Sequence, residues 1–313
     1  MDKGPEIIAV VGPTACGKTR RAVEIARAFS GEILSGDSRQ VYRGMDIGTG
    51  KDLEEYGEIP YHLIDIASPG DKYNLHRFLK DFTKAREDIA GRGLLPVLCG
   101  GTGMYVEAAL SGLAMPEVPR NDALREELSG RNLQELTEIL MRYRRLHNTT
   151  DVDTRDRALR AIEIQRYYAE HPEEAEAADR STARPLDSLI IGLDIPRDAR
   201  RAKITRRLHD RIREGMADEI RSLIDSGVSP DDLIYYGLEY KFVTLYVIGR
   251  LSLEEMTRQL EIAIHQFAKR QMTWFRGMER RGLHIEWLPY DMPHDDFIEE
   301  ISNRLNQSHH RNH

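Results

Sequence analysis

The sequence predicts an α/β fold: a parallel sheet flanked by helices and interrupted by an all-helical insertion. Three observations predict it. A glycine-rich segment, GPTACGKT at 12–19, stands between an apolar run and a helical pattern. Apolar runs then alternate with amphipathic stretches to about position 118. From 119 to 183 the periodicity is helical throughout and charges are frequent.

The elements follow in order. EIIAVV at 6–11 reads as a buried strand bounded by a Gly-Pro turn signal. A helix is expected from Lys18 to Phe29, with Ala22, Ile25, Ala26 and Phe29 on one face. Glu32–Ser35 is a short second strand, and YHLIDI at 61–66 a third candidate. Asn74 can cap a helix to about Gly91 whose stripe is Phe78, Phe82, Ala85 and Ile89. Leu94–Cys99 is a strand ending in GGTG at 100–103. In the insertion, LQELTEILMRYRRLH (133–147) and RDRALRAIEIQRYYAEH (155–171) are the clear helices, and HPEEAEAADRSTARP reads as a mobile linker. Strand returns at Ser188–Asp194, helices at about 197–226 and 253–276, and strand at His284–Leu288. The expected division is a catalytic core of 1–118 and 184–308, an insertion of 119–183, and a disordered tail of 309–313.

Composition narrows the function classes. The chain has 313 residues and a net charge of −7, so a nucleic-acid partner must be met by local basic patches. Two cysteines cannot build a disulfide framework and suit a reducing compartment. No apolar run reaches membrane-spanning length, and the polar lead into the first strand is not a signal peptide. These features suit a soluble cytoplasmic protein. The eleven histidines show no metal-ligand spacing.

Gly12, Pro13, Thr14, Ala15, Cys16, Gly17, Lys18 and Thr19 match G-x-x-x-x-G-K-[ST] in the required strand–loop–helix context. Backbone N–H groups and the helix N-terminus would cradle an anion, Lys18 would reach its oxygens, and Thr19 would hold Mg²⁺. The loop predicts phosphate binding, not ATP in particular. LLPVLCGGTG lacks the acid that a nucleotide hydrolase places after a strand, and Asp65 lies inside its own. Cys16 is a small residue in a tight turn, or a redox-sensitive thiol at a helix N-terminus.

Four stretches together resemble the tRNA dimethylallyltransferases, also called tRNA isopentenyltransferases: GPTACGKT, SGDSRQVYRGMDIGTGK (35–51), GGTGMY (100–105) and AKRQMTWFR (268–276). PYHLIDI (60–66) and RPL (184–186) are further landmarks, and the resemblance runs from the first strand to Arg276. It implies a P-loop NTPase-like core whose loop binds the diphosphate of dimethylallyl diphosphate. It implies transfer of the prenyl group to the exocyclic amine of the adenosine 3′ of the anticodon, and an insertion that grips the anticodon stem-loop. It also leans to a monomer. Arg207, in RDARRAKITRRLHDRI, would join the loop on the departing diphosphate, although the helix is basic enough for a solvated face.

Asp37 would accept the amine proton; on sequence alone it is equally a turn or cap residue. The match of Asp37, Ser38, Gln40, Val41 and Tyr42 to D-S-x-Q-[VI]-Y favours the first. Asp37, Ser38, Arg39 and Gln40 are expected to touch the flipped adenosine, and Thr102 to bond its base. Family alignment places Arg125, Asp156, Arg157 and Arg160 at RNA-contacting positions. The patches 142–145, Arg155/Arg157/Arg160 and KRQMTWFRGMERR supply charge, with Lys269, Arg270 and Arg276 outward and Phe267, Met272 and Trp274 or Phe275 inward.

Four positions depart from the commoner pattern: Cys16 for Ser, Gly50 for Ala, DTRDR at 153–157, and GLEYK at 237–241 for Gly-Tyr-Lys/Arg-Glu. They suggest a divergent subgroup. Two other readings stay open: an enzyme that prenylates free adenine nucleotides, and a P-loop small-molecule kinase.

Overall fold

The structure, a computed structural model, describes residues 4–113, 118–143, 150–175 and 184–311. These fall into two compact units: residues up to Ser111 with those from Pro185, and Gly112–Arg184.

The first unit is built on one parallel sheet of order β3-β2-β4-β1-β5-β6. Its strands are β1 (Ile7–Val11), β2 (Gly31–Ser35), β3 (Tyr61–His62), β4 (Leu95–Gly100), β5 (Ser188–Asp194) and β6 (Ile285–Pro289). All five residues of β1 are buried, as a central strand covered on both faces requires. Alternation divides them: Ile7, Ala9 and Val11 join one core with Phe78 and Phe275, while Ile8 and Val10 join another with Ile25 and Phe297. The helices are α1 (Lys18–Ala28), α2 (Leu75–Gly91), α3 (Gly103–Leu110), α7 (Arg197–Arg213), α8 (Met216–Asp225), α9 (Pro230–Tyr236), α10 (Leu238–Val247), α11 (Leu253–Arg280) and α12 (His294–Arg311); α4 to α6 lie in the second unit. Asn74 caps α2 as expected, its side chain accepting from Arg77 N at 3.0 Å.

Several expectations need correction. The single helix expected at 197–226 is two, because Gly215 turns the chain at φ 100° between α7 and α8. YHLIDI pairs only at Tyr61–His62; Leu63 (φ 66°) and Asp65 (φ 56°) then leave the extended region. Helix α12 runs to Arg311, where a disordered tail is expected; fully buried Phe297 and Ile301 anchor its first turns. Residues 312 and 313 lie outside the described residues, as do Arg144, Arg145 and 176–183 of the expected linker.

The second unit contains α4 (Asp122–Glu127), α5 (Leu133–Tyr143) and α6 (Arg155–Glu170). Asn121 and Thr154 cap α4 and α6 through their side chains. Leu124, Leu136, Leu140, Leu159 and Ile162 form its own small core. No described helix is long and apolar enough to cross a membrane.

Candidate active site

A cavity of about 760 Å³ lies in the first unit, past the carboxyl ends of β1, β2 and β4. Its lining includes Thr14, Ala15, Gly17, Lys18 and Thr19 of the phosphate loop, and Asp37 to Gln40 after β2. Thr102 after β4, Arg207 on α7 and Arg270 on α11 line it too, whereas Gly12, Pro13 and Cys16 of the loop do not.

The loop has the backbone its sequence implies. Gly17 stands at φ 87° as the cap of α1, and Ala15 holds φ 63°. For a residue with a Cβ that costs roughly 1–2 kcal/mol, a strain typical of ligand-holding turns. Lys18 folds back so that Nζ donates to Pro13 O at 2.8 Å. Cys16 is buried in the core cluster beside β1, its Sγ 4.0 Å from Lys18 Nζ; a Cβ on Gly12 would stand 2.9 Å from that Sγ. Cys99, also buried, has its thiol pushed up to about 12 by burial. A buried neutral thiol such as that of Cys99 is inert.

Asp37 makes a tight turn. Its Oδ1 accepts from Arg39 N at 2.8 Å. Ser38 N donates to the Thr102 hydroxyl at 3.2 Å, which joins this turn to the start of α3. Gln40 is buried between the Ser35 hydroxyl (2.8 Å) and Gly50 O (3.1 Å), so it braces the turn from behind. The turn role that sequence alone allowed for Asp37 is therefore present together with a place on the cavity wall.

Asp65 is not free to serve a metal. It is paired with Lys51, a fully buried lysine that also donates to Tyr42 O at 2.7 Å.

Arg207 reaches the cavity with a partner that sequence reasoning did not single out. Its Nη2 donates to Asp52 Oδ2 at 2.8 Å, and Arg211 approaches the same carboxylate at 3.3 Å. Gly50 makes room for both guanidinium groups: a Cβ there would stand 1.8 Å from Arg211 Nη2 and 2.2 Å from Arg207 Nη2. Glycine in place of alanine at this departure point thus has a physical reason. Burial, with Arg207 beside it, pushes Arg211 down.

The GLEYK segment opens α10. Glu239 lines the cavity, and burial pushes its carboxyl up although Arg211 and Arg207 oppose this. Tyr240 donates to Glu219 Oε1 at 2.6 Å, and Glu219 in turn accepts from the N–H groups of Asp46, Ile47 and Gly48. Tyr240 therefore braces the 46–48 loop.

Sequence reasoning also missed the role of Gln271. It is 6% exposed, accepts from Thr14 N at 2.8 Å and donates to Gly101 O at 2.8 Å. The only local signal was a polar residue on the buried stripe of α11. That stripe contains Phe275, at 0% exposure, while Trp274 is 40% exposed and Phe267 is half-buried at the cavity wall. Trp274 crowds Gly103, where a Cβ would stand 2.4 Å from its ring. Lys269 is exposed and outside the cavity lining.

The remaining expected residues lie in the second unit. Arg125 forks onto Glu163 with bonds of 2.6 and 3.0 Å, and Arg160 donates to Glu163 at 3.1 Å and Val118 O at 2.7 Å. Burial pushes the Glu163 carboxyl up, but its bonds to Arg125, Arg160 and Asn121 outweigh this and hold it low. Arg155 is committed to the carbonyls of Leu128, Ser129 and Arg131. Arg157 is exposed in a pair with Asp153 at 3.0 Å, and Asp156 is exposed.

Residues 40–278 match the family model described as IPP transferase, and 5–58 match one described as isopentenyl transferase. A tRNA dimethylallyltransferase 1 of Parabacteroides distasonis is 56% identical over 308 residues, 97% of this chain and 99% of the relative. The crystal structure of a full-length tRNA isopentenylpyrophosphate transferase from Bacillus halodurans is similar at TM-score 0.71 and 32% identity, covering 99% of this chain and 98% of that one. A eukaryotic dimethylallyltransferase acting on tRNA is similar at TM-score 0.78 and 22% identity, over 96% of this chain and 79% of that one, a likeness of fold alone. Matched over most of its length by model, sequence and P-loop NTPase-like fold, the chain belongs to the IPP transferase family.

Proposed function

We propose that this protein transfers a dimethylallyl group from dimethylallyl diphosphate to the exocyclic N6 amine of the adenosine 3′-adjacent to the anticodon in tRNA, releasing diphosphate. The observation that carries this reading is one cavity lined both by a phosphate loop and by a turn presenting a carboxylate, Asp37. The acid nearest to a nucleotide hydrolase's second acid, Asp65, is spent on Lys51. The names of the relatives support the same reaction.

The chemistry has two demands. The allylic C–O bond must break, and electrostatic stabilisation of the leaving diphosphate dominates that step. Inward N–H groups of the loop, Lys18 and Arg207 supply it. A C–N bond must form as the aromatic amine gives up a proton, and Asp37 accepts it. Its Oδ1 is held by Arg39 N, which fixes the carboxylate's direction. The base must first leave its stack, and we assign Ser38 to Gln40 and Thr102 to receiving it.

Mg²⁺ fits this site as a hard cation with oxygen donors. Thr19 lines the cavity, and no group of three or more His, Cys, Asp or Glu among the described residues could hold a metal alone. Magnesium commonly takes most of its ligands from phosphate and water. Bound beside Thr19, it would neutralise diphosphate charge.

We assign the helical insertion to the anticodon stem-loop, with exposed Arg157 offering phosphate contact, and Lys269, Arg270 and Arg276 of α11 serving the same RNA. The reading takes the enzyme to be a cytoplasmic monomer.

The test is incubation with radiolabelled dimethylallyl diphosphate, Mg²⁺ and tRNA lacking the modification, beside AMP and ATP controls. Label in tRNA alone is the expected result. Label in AMP instead points to a nucleotide-prenylating enzyme. ATP turnover with no prenyl transfer returns the loop to kinase chemistry.

A further inference from the structure

Gln271 joins two loops that the chain separates widely. Its Oε1 accepts a hydrogen bond from the N–H of Thr14, within the phosphate loop, and its Nε2 donates one to Gly101 O, just past β4. The next residue, Thr102, holds Ser38 N through its hydroxyl, and Asp37 holds Arg39 N in the same turn. A continuous path of hydrogen bonds and one peptide link thus runs from the anion loop through Gln271 to the turn carrying Asp37.

We propose that Gln271 is a positioning residue that fixes the spacing between the diphosphate loop and the Asp37 turn. This rests on the reading of the cavity given above. A side-chain amide fits the task, because one planar group accepts on one side and donates on the other. A carboxylate would face Gly101 O with no proton to give, and an aliphatic chain would leave Thr14 N and Gly101 O without either bond. Gly101 is part of the same device. A Cβ there would stand 2.5 Å from Gln271 Nε2, so a larger residue would push the amide off Gly101 O.

Three variants test it: Gln271→Leu, Gly101→Ala and the double. Affinity for inorganic pyrophosphate, affinity for unmodified tRNA, kcat for transfer and Tm are read for each. Each single change is expected to weaken pyrophosphate binding about tenfold and to lower kcat, with tRNA affinity unchanged. Because both act through one bond, the double variant is expected to lose no more than the worse single one. Pyrophosphate affinity unchanged in both singles, or losses that simply add, overturns the proposal; so does a fall in tRNA affinity equal to that for pyrophosphate, the mark of general damage. Wild-type protein that binds pyrophosphate yet transfers nothing contradicts the proposed reaction and leaves the Gln271 comparison readable.

Discussion

Two arginine-rich helices, α7 in the first unit and α6 in the second, look alike in sequence and are used in opposite ways. On α7, Arg206, Arg207 and Arg211 line an open cavity, and the acid that meets Arg207 and Arg211, Asp52, is 44% exposed at its side chain. On α6, Arg160 shares Glu163 with Arg125 of α4, and that carboxylate is 0% exposed. The first arrangement can trade its acid for an incoming anion. The second cannot, because a buried charge stripped of partners costs several kcal/mol. We propose that the burial of the partnering acid, more than the spacing of the arginines, decides whether a cation such as Arg207 is released to an anion or, like Arg160, stays tied to its acid.

The largest effect expected from this contrast is on stability. Glu163→Ala removes the charge-assisted bonds from Arg125, Arg160 and Asn121 N and should destabilise the insertion by about 3 kcal/mol, measured by limited proteolysis and helical signal. Pyrophosphate binding by the first unit should survive. The contrast also has a pH signature. The Glu163 pKa is lowered in the folded state, so its contribution is present above the unfolded carboxylate value. It is lost as pH falls through the folded value. Acid should therefore loosen the wild-type insertion below about pH 4.5, and the Ala variant should lack that step.

Next in size, Arg207→Gln should lower pyrophosphate affinity and transfer by roughly a hundredfold while shifting Tm little, since its pair with Asp52 is partly exposed. Arg207 would prove structural if Tm fell and affinity did not. The smallest effect belongs to Arg157, whose pair with Asp153 is exposed at both ends. Arg157→Ala should leave stability within about 0.5 kcal/mol and weaken tRNA binding by a few-fold, more so at low salt.

The parts of the site legible in the sequence were those fixed by local backbone demands. Gly12 and Gly17 have to be glycine for the chain to turn at φ 152° and 87°, and such turns leave a readable pattern. Asp37 was legible as a short-range turn former. The partners of Arg207 and Thr14 were not, because Asp52 and Gln271 meet them across 155 and 257 residues of chain. Glu163 was hidden for another reason: three residues from Arg160 on a helix, it reads as half of a surface pair until the fold buries it. In the fold, every strand but β3 and the helices α1, α2, α5, α6 and α11 were plain from periodicity. The break at Gly215 and the whole of α12, which was not anticipated, were set by one turn residue and by the burial of Phe297 and Ile301.

The measurement closest to the central claim is single-turnover transfer from dimethylallyl diphosphate to unmodified tRNA by the Asp37→Asn variant, with both substrates saturating. Asparagine keeps an oxygen for Arg39 N and loses only the capacity to take a proton. The account predicts a fall in rate of about 10²–10⁴ with the affinities for pyrophosphate and tRNA intact. A variant that transfers at the wild-type rate, or that fails only because it no longer binds tRNA, would contradict it.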